Sequence, residues 1–230
     1  MTTALIDGDL VAYISAASCT EDDPQHIALI RVEDRLRKII DYVKCTSYRI
    51  FVSGGNNFRY ELYPDYKANR TSPDPKHRQA CHQFIIDEWK GEETDGFEAD
   101  DALGCYQTDD TIICSLDKDL RMIPGKHFSW EITRKGAIIR EPEFAEVDYM
   151  TGIKHFYKQM IIGDTSDNIF GIDGLGKAKA AKLIDPLSTE KDMYDLVASL
   201  YNDEARFTMN ADCLWIWRML GITYSLRGLC

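Results

Sequence analysis

The chain has 230 residues, 44% of them hydrophobic, and a formal net charge of −11. That is enough apolar material for one generous globular core with an appended lobe, and no apolar run reaches the ~20 residues of a membrane-spanning helix. Read as a sum, the acidity argues against a nucleic-acid partner; but the acids are clustered, and divalent cations bound at such clusters would change the local sign.

The seven cysteines are scattered without a Cys-x-x-Cys pair, which points to free thiols in a reducing compartment rather than to a disulfide framework or a zinc knuckle. The five histidines form no His-Glu-x-x-His pattern. The start, "MTTALIDGDLVAY", lacks the basic segment of a signal peptide, so a cytoplasmic protein is expected.

In chain order, "TALID" reads as a short buried strand ending at Asp7, followed by a helix from Leu10 to Ala17. "ALIRVEDRLRKIIDYVK" places Leu29, Val32, Leu36, Ile39, Ile40 and Val43 at helical spacing. "YRIFVSGG" is a strand with a glycine stop, and "FRYELYPDYKANRTSPDP" a loop or short helices. "KHRQACHQFIIDEW" is helical, "FEADDALGCYQ" opens another helix, and "TIICS" is a strand running into "LDKDL". "KHFSWEITRKGAIIRE" is expected to form a hairpin around Lys135-Gly136. From Asp148 onward the pattern is nearly all helical, through "YMTGIKHFYKQMI", "KAKAAKLI", "EKDMYDLVASL" and "NADCLWIWRML", with the tail closing the helical lobe as a last helix. Alternating strands and helices in the first half imply a parallel α/β core. The division expected is a core over residues 1–147 and a helical region over 148–230.

Four acidic clusters fall at the ends of elements: Asp7 and Asp9; Glu98, Asp100 and Asp101; Asp117 and Asp119; Asp164 and Asp167. Singly, each has a structural reading. Acids in a first turn stabilise a helix dipole, Asp-x-x-Asp before a turn can cap, and Asp9 reads best as a helix N-cap. Together they carry more. Ligands of parallel α/β sheets bind at the carboxyl ends of strands, where Asp7 and Asp117 both belong. Asp117 and Asp119 share a face if the chain stays extended, and Glu98 and Asp101 share one at i,i+3. That many carboxylates on one edge repel unless protonated or bridged, and an all-carboxylate set without Cys or His selects Mg²⁺ or Mn²⁺. Two such ions about 4 Å apart form the clamp used in phosphodiester hydrolysis. Basic runs also occur, in "YKANR", "PKHRQ" and "GKAKAAKL", for which a solvated face is the simpler reading.

In order, "ALIDGD", "FRYELYPDYKANR", "FEADD", "SLDKD" and "GDTSDNIFGIDGLGKAKAAKLI" resemble the 5′-3′ exonuclease and flap endonuclease family, most closely its bacteriophage members, over roughly Thr3 to Ile184. The resemblance implies a PIN-like parallel-sheet nuclease core flanked by helices, with a helix-three-turn-helix DNA clamp in the C-terminal lobe. It implies metal-site carboxylates at Asp7, Glu98, Asp100, Asp101, Asp117 and Asp119, completed by Asp164 and Asp167. Lys67 and Arg70 match the basic residues that engage the scissile phosphate, and Asp7 and Asp101 join them in the expected catalytic set. The DNA-contacting set is Gly171, Gly174, Gly176, Lys177, Lys179 and Arg59, and the turn from Gly171 to Gly176 is one that in the family often binds K⁺ through carbonyls. Phe58, Tyr60, Tyr63 and Tyr66 are candidates for stacking on a terminal base, with core packing the alternative for most of them.

The implied function is a metal-dependent 5′-nuclease, using two Mg²⁺ or Mn²⁺ ions, on DNA with 5′ ends or flaps or on RNA–DNA duplex, in phage-type replication, recombination or degradation. A monomer without membrane contact or obligate protein partner is expected. Two departures stand out. "FVSGG" puts Ser53 where many members carry an Asp, and only the 30 residues from Ala68 to Phe97 separate Lys67 from Glu98, short for a closed arch. The competing readings are a haloacid-dehalogenase-type phosphatase, for which "LIDGDL" and "GDTSD" are the mimics, an inactive DNA-structure-binding module, and a toxin-like PIN ribonuclease.

Overall fold

Strand β1 (Thr3–Asp7) buries four of its five residues because both of its faces are covered. The computed structural model describes residues 2–134 and 137–228. In it β1 pairs in parallel with β2 (Ser47–Ser53), Asp7 opposite Phe51, and with β4 (Thr111–Cys114), Ile6 opposite Cys114. With β3 (Glu92–Thr94), β5 (Gly125–Ser129) and β8 (Glu143–Val147) the order is β3-β2-β1-β4-β5-β8, and β8 alone is antiparallel.

The two-residue period of the strands divides the core. Ala4, Ile6, Ile50, Val52, Ile112 and Cys114 lie in one cluster with side chains of α1 (Gly8–Ala17), α2 (Gln25–Val43) and α4 (Arg78–Trp89). Leu5, Phe51 and Ile113 lie in the other, with Ala102 and Leu103 of α5 (Ala99–Tyr106). Helix α2 buries Ala28, Val32, Leu36 and Ile39, the stripe that its sequence period implies, and ends at Lys44 in a left-handed conformation.

Helices α6 (Tyr149–Ile162), α7 (Lys177–Ile184), α8 (Glu190–Leu200) and α9 (Glu204–Leu214) follow. Between α6 and α7 runs a two-residue ladder of β9 (Gly163–Asp164) and β10 (Ile169–Phe170). Phe156, Met160, Ile184, Val197 and Trp215 belong to the same buried cluster as Leu5 and Phe51, so the C-terminal region and the sheet share one core. β6 (Ile132–Arg134) and β7 (Ala137–Arg140) pair antiparallel as expected of a hairpin; its turn, Lys135-Gly136, lies outside the described residues. No helix among the described residues is long and apolar enough to cross a membrane.

The tail differs from expectation. The last helix ends at Leu214, and residues 215–228 are non-helical, with Trp215, Ile216 and Trp217 buried. Their backbone is needed elsewhere. Arg59, on the short helix α3 (Phe58–Leu62), donates to the carbonyls of Cys213 (2.8 Å) and Trp215 (3.0 Å) and pairs through both terminal nitrogens with Asp101 (2.6 and 2.9 Å). Asp101 also accepts from the amides of Trp217 (3.0 Å) and Glu98 (3.1 Å). The tail runs so close to α5 that a Cβ on Gly104 would stand 2.2 Å from the Trp217 carbonyl oxygen.

Arg59 and Asp101 are 2% and 0% exposed, so removing one strands the other's charge indoors, at a cost of about 3–5 kcal/mol. Arg59→Met is therefore expected to lower the urea midpoint severely. The double variant Arg59→Met/Asp101→Leu should recover part of that loss. Equal midpoints for wild type and Arg59→Met would remove the pair from the stability of the joint.

Candidate active site

Parallel pairing puts the carboxyl ends of β1 and β4 side by side, and with them Asp7 and the Ser115–Asp119 segment. α5 opens at the same edge with Glu98 and Asp100, and the loop after α6 adds Asp164 and Asp167. Glu98, Asp100, Asp117, Asp119, Asp164 and Asp167 line one cavity of about 90 Å³, together with Tyr66, Lys67 and Arg70.

Most of these carboxylates already have protein donors. Asp7, 4% exposed, caps α1 by accepting from Leu10 N (2.9 Å) and accepts from Ser115 Oγ (2.6 Å). Glu98 receives the Lys67 ammonium and the Tyr66 hydroxyl (3.0 Å). Asp167 receives the same hydroxyl (2.8 Å) and Arg70 (2.6 Å). Asp164 accepts from Ser166 N (2.8 Å), and Asp117 from Asp119 N (2.8 Å). His155 and Lys118 lie 3.8 and 3.5 Å from Asp119. Asp100 has no hydrogen-bond partner for its carboxylate among the described residues.

The electrostatics follow from burial and from which groups have cations. Burial pushes Asp7 up to about 7, helped by Asp9 and Asp117, with the Ser115 hydrogen bond opposing. Burial, then the charges of Asp7, Asp117 and Glu98, drives Asp100 well above the ordinary carboxylate range. Asp117 is raised by burial and by Asp119. For Glu98 burial acts upward too, but Lys67 and Arg59 overcome it and hold the group low. Asp119 is likewise held low, His155 and Lys118 outweighing burial.

The "YKANR" segment is stitched to the "GDTSDN" loop. Lys67 N donates to Asp167 O (3.0 Å), Arg70 Nε to Ser166 O (3.1 Å), Asn168 Nδ2 to Asp65 O (2.9 Å), and Asn69 to Thr165 O. Lys67 itself has φ +58°, a left-handed conformation that costs a non-glycine residue roughly 1–2 kcal/mol. It is held there beside the carboxylates, in keeping with strain stored at a working site.

Several expected placements need correcting. Asp101 does not line the cavity: its carboxylate faces the interior and is consumed by Arg59 and two backbone amides. Arg59, expected to touch DNA, is 2% exposed; it donates to Asp101 and two carbonyls, and its Nη1 lies 3.7 Å from Glu98 at the cavity wall. The N-cap of α1 is Asp7, not Asp9; Asp9 instead accepts from Ser53 N (3.0 and 3.1 Å). Ser53 Oγ accepts from Ala99 N (2.9 Å), so the residue standing where a carboxylate was expected tethers the start of α5. Asp119 lies not on extended chain but at the start of a 3₁₀ turn, Asp119–Met122. Of the aromatics considered for stacking, Phe58 packs on Trp217 (centroids 4.8 Å apart) and Tyr66 is 2% exposed; Tyr60, 48% exposed, offers a free ring surface.

Gly171, Gly174 and Gly176 form the turn into α7, and Lys177 and Lys179 are exposed on its first turn. A Cβ on Gly171 would meet the Ile161 carbonyl oxygen at 2.3 Å, so that glycine is required by packing on α6. The hydroxyls of Tyr66 and Ser115 are functional candidates that pattern reading passed over. Tyr66 adjoins Lys67 in the motif, which was the available signal; Ser115, two residues before Asp117, offered none.

Among the described residues no three His, Cys, Asp or Glu side chains close on one point as a finished metal cage. The chemistry of the lining nevertheless fits hard divalent ions. Six carboxylates line it, and Asp100 has no hydrogen-bond donor, with only the charge of Lys67 set against its acidic neighbours.

Comparison with known proteins agrees with this geometry. A family model described as the 5′-3′ exonuclease N-terminal resolvase-like domain matches residues 2–147. The chain is 27% identical over 227 residues to DNA polymerase I of Bacillus caldotenax, covering 89% of this chain and 26% of that one. It is 30% identical over 173 residues to a 5′-3′ exonuclease of Buchnera aphidicola, covering 70% and 60%. It thus spans about a quarter of that polymerase and less than two thirds of that exonuclease. Among solved structures, the bacteriophage T5 flap endonuclease in a complex with DNA and metal ions superposes with a TM-score of 0.65 at 16% identity, covering 93% of this chain and 89% of that one. T5 5′-exonuclease with bound zinc gives 0.59 at 17%, covering 93% and 85%. The PIN-like α/β fold expected from the sequence is the fold of these neighbours. With its model matched over more than half of the residues, the chain belongs to the 5′-3′ exonuclease family.

Proposed function

We propose that this chain is a divalent-metal-dependent 5′-nuclease that hydrolyses phosphodiester bonds of DNA at 5′ ends or 5′ flaps. The observation that carries the reading is the cavity of six carboxylates faced by the Lys67 ammonium and the Arg70 guanidinium. Acidic side chains that hold cations, beside basic ones that meet a phosphate, answer the demands of phosphodiester hydrolysis. The relative named a 5′-3′ exonuclease and the fold shared with a flap endonuclease support the same reading.

Asp7, Asp100 and Asp117 would hold one Mg²⁺ or Mn²⁺, and Asp119, Asp164 and Asp167 a second, with Glu98 between them and Lys67. When bound, the ions supply Lewis-acid charge at the phosphoryl oxygens. Lys67 and Arg70 exchange their present carboxylate partners, Glu98 and Asp167, for phosphate oxygens and stabilise the charge that grows there. Tyr66, bonded to both Glu98 and Asp167, keeps those two carboxylates in place while the cations move. The glycine turn and the first amides of α7 position a duplex phosphate without reading sequence, and Lys177 adds charge beside it.

The direct test is gel analysis of nicked, flapped, blunt and single-stranded substrates labelled at the 5′ end. Mg²⁺-dependent release of short products from flapped or recessed 5′ ends, abolished by EDTA, is expected; intact substrates in every lane would overturn the proposal. The metal site has a readout apart from activity. An ion at a hundred times its Kd adds about 2.7 kcal/mol of stability, which at this chain length is a rise of about 5–10 °C in Tm. Asp100→Asn should abolish most of that rise while leaving the metal-free Tm unchanged or higher. Lys67→Ala should cut turnover by roughly 10²–10³-fold, the scale of losing one preorganised electrostatic contact, while flapped DNA still binds within about threefold. Unchanged turnover would take Lys67 out of the mechanism.

A further inference from the structure

The turn from Gly171 to Gly176 was expected to hold K⁺ through its carbonyls, and the residues present do not fit that ion. Arg206, on α9, donates through Nη2 to the carbonyls of Gly171 (2.6 Å) and Phe170 (3.1 Å). Asn210, one helical turn further on, donates to the same Phe170 carbonyl (2.9 Å) and to the Tyr201 hydroxyl (3.0 Å). From the other side the Lys179 ammonium donates to the Gly174 carbonyl (2.8 Å). Ile172 O accepts from Leu175 N (3.1 Å), and Gly176 O from the amides of Lys179 and Ala180 (3.0 Å each). Among the described hydrogen bonds this leaves only the carbonyls of Asp173 and Leu175 without a partner between 170 and 176.

An alkali ion is held by several oxygens that together replace its hydration shell. Here a guanidinium and an ammonium stand among those oxygens, each with the charge K⁺ would bring, and each repels a third cation. They also do the mechanical work of such an ion. Arg206 ties the entering limb of the turn to α9, and Lys179 ties its apex at Gly174, where φ is +73°, to α7.

We propose that Arg206, Asn210 and Lys179 take the place of a monovalent ion in this turn, so that the chain's grip on duplex DNA does not depend on K⁺. The inference rests on the nuclease reading only in assigning the turn to DNA. The test is fluorescence anisotropy of a 5′-flapped duplex, without divalent ions, in KCl, NaCl and tetramethylammonium chloride at one ionic strength, because salt alone shifts such affinities. Wild type should give the same Kd in all three within about twofold. Lys179→Met and Arg206→Met, each checked for fold by circular dichroism, should bind more weakly in tetramethylammonium chloride and recover at least about threefold in KCl, a range anisotropy resolves. Wild-type binding about fivefold or more tighter in KCl than in the other two salts would overturn the inference. A second arm follows the amide NMR shifts of Gly171, Gly174 and Gly176 as Na⁺ is exchanged for K⁺ in the free protein. No change is expected, and a saturable K⁺-specific shift would also overturn it. If flapped DNA binds in none of the salts, the nuclease reading fails by itself while the NMR arm still decides the ion question.

Discussion

Mutual repulsion among the carboxylates at the sheet edge is the constraint around which the neighbourhood is organised. Two like charges about 4 Å apart cost about 4 kcal/mol at an effective dielectric of 20, and six carboxylates line one small cavity. The chain answers in three ways. It supplies cations, Lys67 to Glu98 and Arg70 to Asp167. It supplies hydroxyls and backbone amides to Asp7, Asp117, Asp164 and Asp167. It leaves Asp100 with neither, and there burial and neighbouring negative charge raise the pKa most plainly. The answer is partial, and a partly compensated acidic cavity attracts cations.

The helix that opens with "EADD" shows where sequence reading succeeds and where it stops. The motif's Glu98 and Asp100 come to the cavity, and the parallel sheet puts Asp7 and Asp117 on one edge, because strand polarity alone fixes which ends lie together. What it left open was which of two adjacent aspartates faces the cavity. Consecutive helical residues point about 100° apart, so Asp100 and Asp101 cannot both do so. Asp101 is the one that turns inward, because Arg59 from α3 and the Trp217 amide from the tail meet it there. Those partners lie 42 and 116 residues away, beyond any local pattern. The tail was misread for the same reason. "WIWRML" has helical spacing, but the carbonyls of Cys213 and Trp215 are claimed by Arg59, and residues 215–228 are non-helical.

The net charge illustrates a related limit. A chain at −11 suggests distance from nucleic acid, yet the excess is not spread evenly. Six acids are gathered in one cavity, beside a segment whose Lys67 and Arg70 reach into it. The exposed Lys177 and the two lysine- and arginine-held limbs of the glycine turn form a separate basic margin. With divalent ions in the cavity, most of its negative charge would be offset while the sum over the chain remains negative.

The path of the chain between Lys67 and Glu98 bears on how a strand would reach that face in the proposed function. A closed arch needs those residues above the cavity. Instead the segment leaves it. Lys76 and His77 bond to the carbonyls of Glu21 and Asp23 beyond α1 (2.5 and 2.8 Å). Then α4 buries Cys81 and Ile85 in the cluster on the opposite face of the sheet from α5. The chain returns through β3 at the sheet edge, directly into Glu98. Drawing α4 up into an arch would expose those apolar side chains, at about 25 cal/mol for each Å² uncovered, and would strip α1 and α2 of their cover. The segment between Lys67 and Glu98 therefore forms no closed arch over the cavity.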